Sequence, residues 1–276
     1  MALVCMLAGT DPADTVALET GFAFAKTLDL DLVAQSALPD ATGAVVFASS
    51  PYVIGLGAGA VEQVKQAQTD LVTAWRGVFD TVAARHPGVT ARYDHQTQLT
   101  ERAAAQAAIL ADTLVFPRPA GRSGHILSSA FETVLMDERL PVVLAGSQPA
   151  AGETVGVAWN GSAQAARAVR LHLPLIRAAK RVVLLQNPED LPDTHHAPSA
   201  SVEALGAYLD RQGVTAETAA VTGSVGPALL SACETRGIDL LVAGAFGHSR
   251  AGQFLFGGAS RDFLTADNAP ALAFAH

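Results

Sequence analysis

The chain has 276 residues, half of them hydrophobic and only 16% charged, with 18 basic and 26 acidic side chains for a formal net charge of −8. This composition excludes a mainly disordered chain and gives no clustered Lys and Arg to grip a phosphate backbone; lysine occurs only at positions 26, 65 and 180, so nucleic acid is not an expected partner. No apolar run approaches the roughly 18 residues that span a bilayer, so no membrane span is expected, and Met1–Gly9 lacks the basic start of a signal peptide. Together with two lone cysteines, Cys5 and Cys233, set in apolar stretches, this points to a reducing, cytoplasmic setting.

Taken in chain order, Leu3–Ala8 reads as a strand, Ala13–Thr27 as a helix and Leu30–Gln35 as a strand. That order predicts a parallel sheet covered by helices. The dipeptide-rich stretch Gly55-Leu56-Gly57-Ala58-Gly59-Ala60 fits a dinucleotide fingerprint, but the residues after it, through Trp75 and Phe79, read as one long helix with no strand and acid in register, so a loop feeding a helix is the better reading. In the following loop, Phe116-Pro117-Arg118-Pro119, proline removes an N–H where a phosphate cradle would need one; Arg118 and Arg122 are expected to be solvated loop arginines. Gly146–Gly152 is the expected linker, small and turn-forming.

After the linker the order returns: strand Val155–Trp159, an Ala-rich amphipathic helix Ala163–Ala179, strand Arg181–Gln186, helix Ser199–Arg211 closed by Gly213, then Val214–Val221, Pro227–Arg236 and Asp239–Gly244. Landmarks support a doubling. Gln35 and Gln186 each close a second strand 151 residues apart, whereas Asp112 pairs with Asp239 at an offset of 127 and Pro141 with Pro270 at 129. The first half therefore holds about 22 extra residues, placed around Ser36–Asp70. Residues 1–150 carry a net −6 and the rest −2, so the second half is the better host for an anion.

The feature with most chemistry is Gly244-Ala245-Phe246-Gly247, nine further residues, then Gly257-Gly258-Ala259-Ser260 opening a helix. It begins where a strand ends, the place where parallel α/β sheets bind ligands; glycines there let backbone N–H groups approach phosphates beside a helix N-terminus. His248, Arg250 and Arg261 are nearby protonatable or positive groups. Two other patterns carry less. Gly247-His248-Ser249-Arg250-Ala251 has the outline of a hydrolase nucleophile elbow, but only Asp262, Asp267 and His276 follow it. Asp193-Thr194-His195-His196 reads as a solvated loop between Pro192 and Pro198 rather than a metal site. His86, His95, His125 and His172 have no partner at ligand spacing and are assigned no function.

The spacing of Gly244, Gly247 and Gly257 resembles the signature of the universal stress protein family, as does the stretch Val157–Ala168, and the likeness to the family's tandem two-domain form covers nearly the whole chain. The family's Ser or Thr position holds Gly258, with Ser260 two residues on, and its nucleoside-contacting Asp is Asn160 here. The resemblance implies two doubly wound parallel-sheet α/β domains in tandem, Rossmann-like and of the nucleotide-binding alpha hydrolase type: a degenerate domain over 1–148 and a nucleotide-binding one over 153–276. It implies an intramolecular pseudo-dimer, an adenine nucleotide as ligand, ATP with Mg²⁺, and an unknown protein partner; a further homodimer through the strand ending at Phe274 stays open. Asn160 would meet the nucleoside, Gly244 and Gly247 the ribose and nearby phosphate with His248 close by, and Gly257, Gly258, Ala259 and Ser260 the phosphates. No nucleophile, general base or metal triad is evident, so an enzyme is not expected and any ATP hydrolysis would be slow and incidental. The alternative is a nucleotide-free interaction scaffold of the same fold.

Overall fold

The structure, a computed structural model, describes residues 2–9, 12–41, 58–188, 199–245, 262–263, 266 and 268–276. Ten strands form one sheet: β1 (Ala2–Met6), β2 (Asp31–Leu38), β3 (Ala91–Thr97), β4 (Thr113–Phe116), β5 (Val142–Leu144), β6 (Thr154–Ala158), β7 (Arg181–Gln186), β8 (Ala216–Ala220), β9 (Leu240–Gly244) and β10 (Ala271–Ala275). Their spatial order is β3-β2-β1-β4-β5-β10-β9-β6-β7-β8, so each half shows the same third-second-first-fourth-fifth arrangement, mirrored about the seam. Every pairing is parallel except β5 with β10, where Phe274 faces Val142 and Leu272 faces Leu144. The final strand is therefore covered by the other half of its own chain. Equivalent bonds repeat around this axis: Asp112 N donates to Ala2 O at 3.0 Å, and Asp239 N to Thr154 O at 3.1 Å.

The helices on the sheet are α1 (Ala13–Leu28), α2 (Ala58–Ala83), α3 (Thr100–Ala108), α4 (Ser128–Glu132, widening into a π turn over Thr133–Asp137), α5 (Ala163–Leu171), α6 (Leu173–Ala178), α7 (Val202–Arg211) and α8 (Val225–Arg236). Local chemistry sets their ends. Ser162 Oγ and Ser201 Oγ cap α5 and α7 by accepting from Ala165 N and Ala204 N, each at 3.2 Å. Gly237, at φ 63°, closes α8 in the left-handed region. Val72, Trp75, Phe79 and Val82 repeat at helical spacing along α2 and turn its apolar stripe onto the core.

The central strands are apolar on both faces, as expected for a covered parallel sheet. Leu3, Cys5, Val143, Val155, Val157, Val242 and Ala273 belong to one buried cluster. Alternate residues, Val4, Met6, Leu114, Val142, Leu241, Leu272 and Phe274, belong to a second. Both clusters draw on both halves, so the two halves share their cores across the seam.

Two expectations change. The helix predicted over Ala163–Ala179 is two helices broken at His172, because Pro174 lacks the N–H that would continue the ladder and its ring crowds the preceding turn. The first half's second strand runs on to Leu38 before α2, and residues 42–57 of the expected insertion lie outside the described residues, as do Gly55 and Gly57. The linker is tied to the fold: Ala150 N donates to Thr20 Oγ1 of α1 at 3.1 Å, and Gly152 turns at φ 69°, where a Cβ would lie 3.3 Å from the Phe24 ring.

Candidate functional site

Sequence points to the carboxyl end of β9 and, by resemblance, to that of β6; the structure has a pocket there that reaches to the end of β7. Its floor and walls are apolar, with Leu185, Leu241, Phe274 and, from α8, Val225 and Leu229. Polar groups sit on its rim: Asn160 after β6, Ser162 and Gln164 in the first turn of α5, and Asn187 after β7. No described lining residue is charged. The pocket thus lies between the amino ends of α5 and α8, at the strand ends flanking β6, where an open α/β sheet changes winding direction and ligands dock. An apolar slot with a few fixed amides and hydroxyls suits a flat, uncharged ring.

The rim is held in place by its own bonds. Asn160 Oδ1 accepts from Ser162 N at 3.2 Å, tightening the turn that leads into α5. Gly161 between them adopts φ 80°, and its O accepts from Ala200 N at 3.0 Å while Trp159 Nε1 donates to Ala200 O at 3.0 Å. Asn187, 4% exposed, donates from Nδ2 to Gly223 O at 2.8 Å and joins the end of β7 to the turn before α8.

Gly244, expected as a ligand contact, also has a packing role. A Cβ there would lie 2.5 Å from Ala165 N and 2.6 Å from Gln164 C, so β9 can approach α5 this closely only without a side chain. Gly244→Ala is expected to cost about 2 kcal/mol, the usual scale of forced overpacking against backbone. Urea unfolding checks this; a shift below about 0.5 kcal/mol, within the range of surface substitutions, would contradict it.

Of the predicted site residues, Asn160 and Gly244 come together at this pocket. Gly247, His248, Gly257, Gly258, Ala259 and Ser260 lie outside the described residues. Ser162, Gln164, Asn187, Val225, Leu229 and Phe263 were not singled out; the capping serine directly after Asn160-Gly161 was a readable signal, while the others are distant in sequence. The Ser249 pattern and the Asp193–His196 pair also fall outside. Among the described residues no group of three His, Cys, Asp or Glu converges as a metal site. Both thiols are buried, and burial raises them, Cys233 to about 12, so neither is a ready nucleophile.

The equivalent place in the first half is filled by the protein itself. Asp14, 2% exposed, accepts from Ala8 N at 3.0 Å and Gly9 N at 2.6 Å, and the Trp75 indole lies so close over Gly9 that a Cβ there would be 1.9 Å from its Nε1. Pro117 opens a short 3-10 turn, Arg118–Gly121. Arg118 is not the solvated loop arginine expected: its Nη2 donates across the seam to Phe263 O at 2.8 Å and to Ala266 O. Two histidines read as idle are also placed. His95 Nδ1 lies 2.9 Å from the buried Ser36 hydroxyl, itself 2.6 Å from Tyr93 Oη, and burial lowers the His95 pKa. His86 stacks on Phe22 with centroids 4.7 Å apart and bonds Glu19 at 2.6 Å.

Residues 152–272 match the Universal stress protein family. Among solved structures, a universal stress protein from Archaeoglobus fulgidus DSM 4304 is similar at 12% identity, covering 99% of this chain and 97% of its own, with a TM-score of 0.66. A putative universal stress protein from Pseudomonas aeruginosa UCBPP-PA14 aligns at 11% identity over 99% of this chain and 92% of its own, with a TM-score of 0.55. A universal stress protein solved in complex with cAMP aligns at 20% identity over 45% of this chain and 97% of its own, with a TM-score of 0.32. No curated protein matches the chain. Among the described residues no helix is long and apolar enough to cross a membrane.

Proposed function

Since residues 152–272 belong to the universal stress protein family and the whole chain has its tandem fold, we propose that the second half, residues 153–276, binds an adenine nucleotide, ATP, and that the chain acts in the cytoplasmic stress response through a protein partner rather than as an enzyme. The observation that carries this reading is the uncharged, apolar slot between two helix amino ends at the carboxyl edge of β6, β7 and β9. In it Asn160 meets the nucleoside and Gly244 lies where the chain turns toward the phosphates. Gly247, His248, Gly257, Gly258, Ala259 and Ser260 complete the phosphate side. The described lining offers no carboxylate to a metal, so Mg²⁺ arrives with the nucleotide phosphates and water rather than in a protein cage.

The first half, residues 1–148, is the degenerate partner, because Asp14 already takes the strand-end amides a phosphate would need. One nucleotide per chain follows. Calorimetric titration with ATP and AMP tests both statements: wild type takes one equivalent of ATP, and Gly257→Asp, which sets a carboxylate against the phosphates, loses at least about tenfold in affinity, or about 1.4 kcal/mol. Equal affinity of the two proteins, or no binding by wild type, ends the claim; two equivalents would refute the degenerate first half. The absence of charge on the described lining favours one other reading, a nucleotide-free interaction scaffold, and chain that purifies with a bound nucleotide would refute that.

A further inference from the structure

In the turn that stands where the second half has its glycine-rich stretch, the first half carries Pro117-Arg118-Pro119. Pro117 sits at φ −62° and ψ 144°, and Pro119 lies in the first turn of the 3-10 segment, so the backbone on both sides of Arg118 has little freedom. The side chain leaves its own half: Nη2 donates to the carbonyls of Phe263 and Ala266, 145 and 148 residues away. Ala266 N donates to Asp262 O at 3.0 Å, so the Ala266 carbonyl stands at the end of a helical turn, where partial negative charge collects. A half-buried guanidinium suits that end, since it is always charged and its donors are fixed in a plane. Phe263 itself, 4% exposed, lines the pocket together with Phe274.

We infer that Arg118 is a positioning residue for the second half's pocket: in place of a phosphate loop of its own, the first half supplies the cation that fixes the wall carrying Phe263. This rests on the pocket being the nucleotide site. Prolines on both sides pre-order the arginine, so little further entropy is lost in reaching across the seam. The tandem arrangement then has a task beyond covering a sheet edge: the binding half needs the loop of its degenerate neighbour.

The full-length Arg118→Met variant keeps the aliphatic stem and removes the fork. Hydrogen exchange at the Ala266 amide is expected to accelerate about tenfold while the amides of β6 and β7 keep wild-type protection. The dissociation constant for ATP is expected to rise about tenfold with the thermal midpoint within about 3 °C of wild type. Arg118→Lys, which keeps the charge without the planar fork, recovers part of both and carries the same readouts if the Met variant does not fold. Unchanged exchange at Ala266 overturns the brace. Faster exchange with unchanged ATP affinity overturns the positioning role. A wild type that binds no ATP refutes the nucleotide reading itself, and the exchange at Ala266 still decides whether Arg118 fixes this wall.

Discussion

Asp239→Ala is expected to lower the unfolding free energy of the full chain by about 3 kcal/mol. The carboxylate stands at the start of β9 and accepts from four successive amides of the linker and β6: Oδ2 from Ala151 N at 2.9 Å, Gly152 N at 2.8 Å and Glu153 N at 3.2 Å, and Oδ1 from Thr154 N at 3.0 Å. Hydrogen bonds to a charged group contribute about 1.5–3 kcal/mol each, but two of these donors are exposed and water replaces part of what is lost. The same residue's N–H donates to Thr154 O, so β6 and β9 hold each other at the point where the chain enters the second half. Asp239→Asn keeps the size but removes the charge and turns one accepting oxygen into an N–H donor facing a backbone N–H, so it is expected to lose more than half as much, about 2 kcal/mol. Urea unfolding of the three proteins measures both steps; an alanine variant within about 0.5 kcal/mol of wild type would show the clamp to be dispensable.

The second large effect is acid destabilisation through His172. The ring is 1% exposed at the break between α5 and α6, and its Nε2 lies 3.0 Å from Phe274 O. A carbonyl only accepts, so Nε2 carries the hydrogen, and burial keeps the imidazole neutral. Burial holds its pKa down at about 4, against 6.5 for a solvated histidine, with the bond to Phe274 pulling weakly the other way. The unfolded chain therefore takes up a proton near pH 6.5 and the folded chain only near pH 4. Stability from this group is complete above about pH 7 and falls as the pH drops through that window, a loss on the order of 2 kcal/mol by pH 4.5. In His172→Gln that portion of the slope disappears. Midpoints measured from pH 7 to 4.5 decide it, and parallel curves for the two proteins would refute the assignment. Phe274 lies on β10, the seam strand, so the buried ring whose charging is opposed sits beside the join between the halves.

Much of this architecture was legible along the chain. Alternating strand and helix patterns recur at regular offsets, but Gln35 does not close its strand as Gln186 does: it lies inside β2, level with Leu185 by strand register. The offset of Asp112 and Asp239 reappears as the matched bonds to Ala2 and Thr154. The break before Pro174 was readable too, since a proline's missing N–H is a local fact, yet the Ala-rich periodicity on both sides masks it. At the pocket, Gly244 was found because it ends a recognisable strand, and Asn160 through the resemblance to the family. Asn187, Val225 and Phe263 were not, because nothing in their neighbours' spacing says that three distant segments meet.

What the sequence by itself determined is the doubled parallel α/β plan and the strand ends at which a ligand can sit, because these follow from side-chain periods of two and 3.6 and from turn chemistry within a few residues. Only the tertiary structure decided that the halves share one ten-stranded sheet through antiparallel β5 and β10. It alone showed Asp14 closing the first half's strand end, Arg118 bracing the second half, Asp239 holding the linker and His172 neutral against β10. Apart from Asp14, whose closure is completed by the distant Trp75, each is a polar group meeting a partner more than 80 residues away. Such meetings are selected by the cost of burying an unpaired charge or carbonyl once the sheet has formed, and that cost has no counterpart in local spacing.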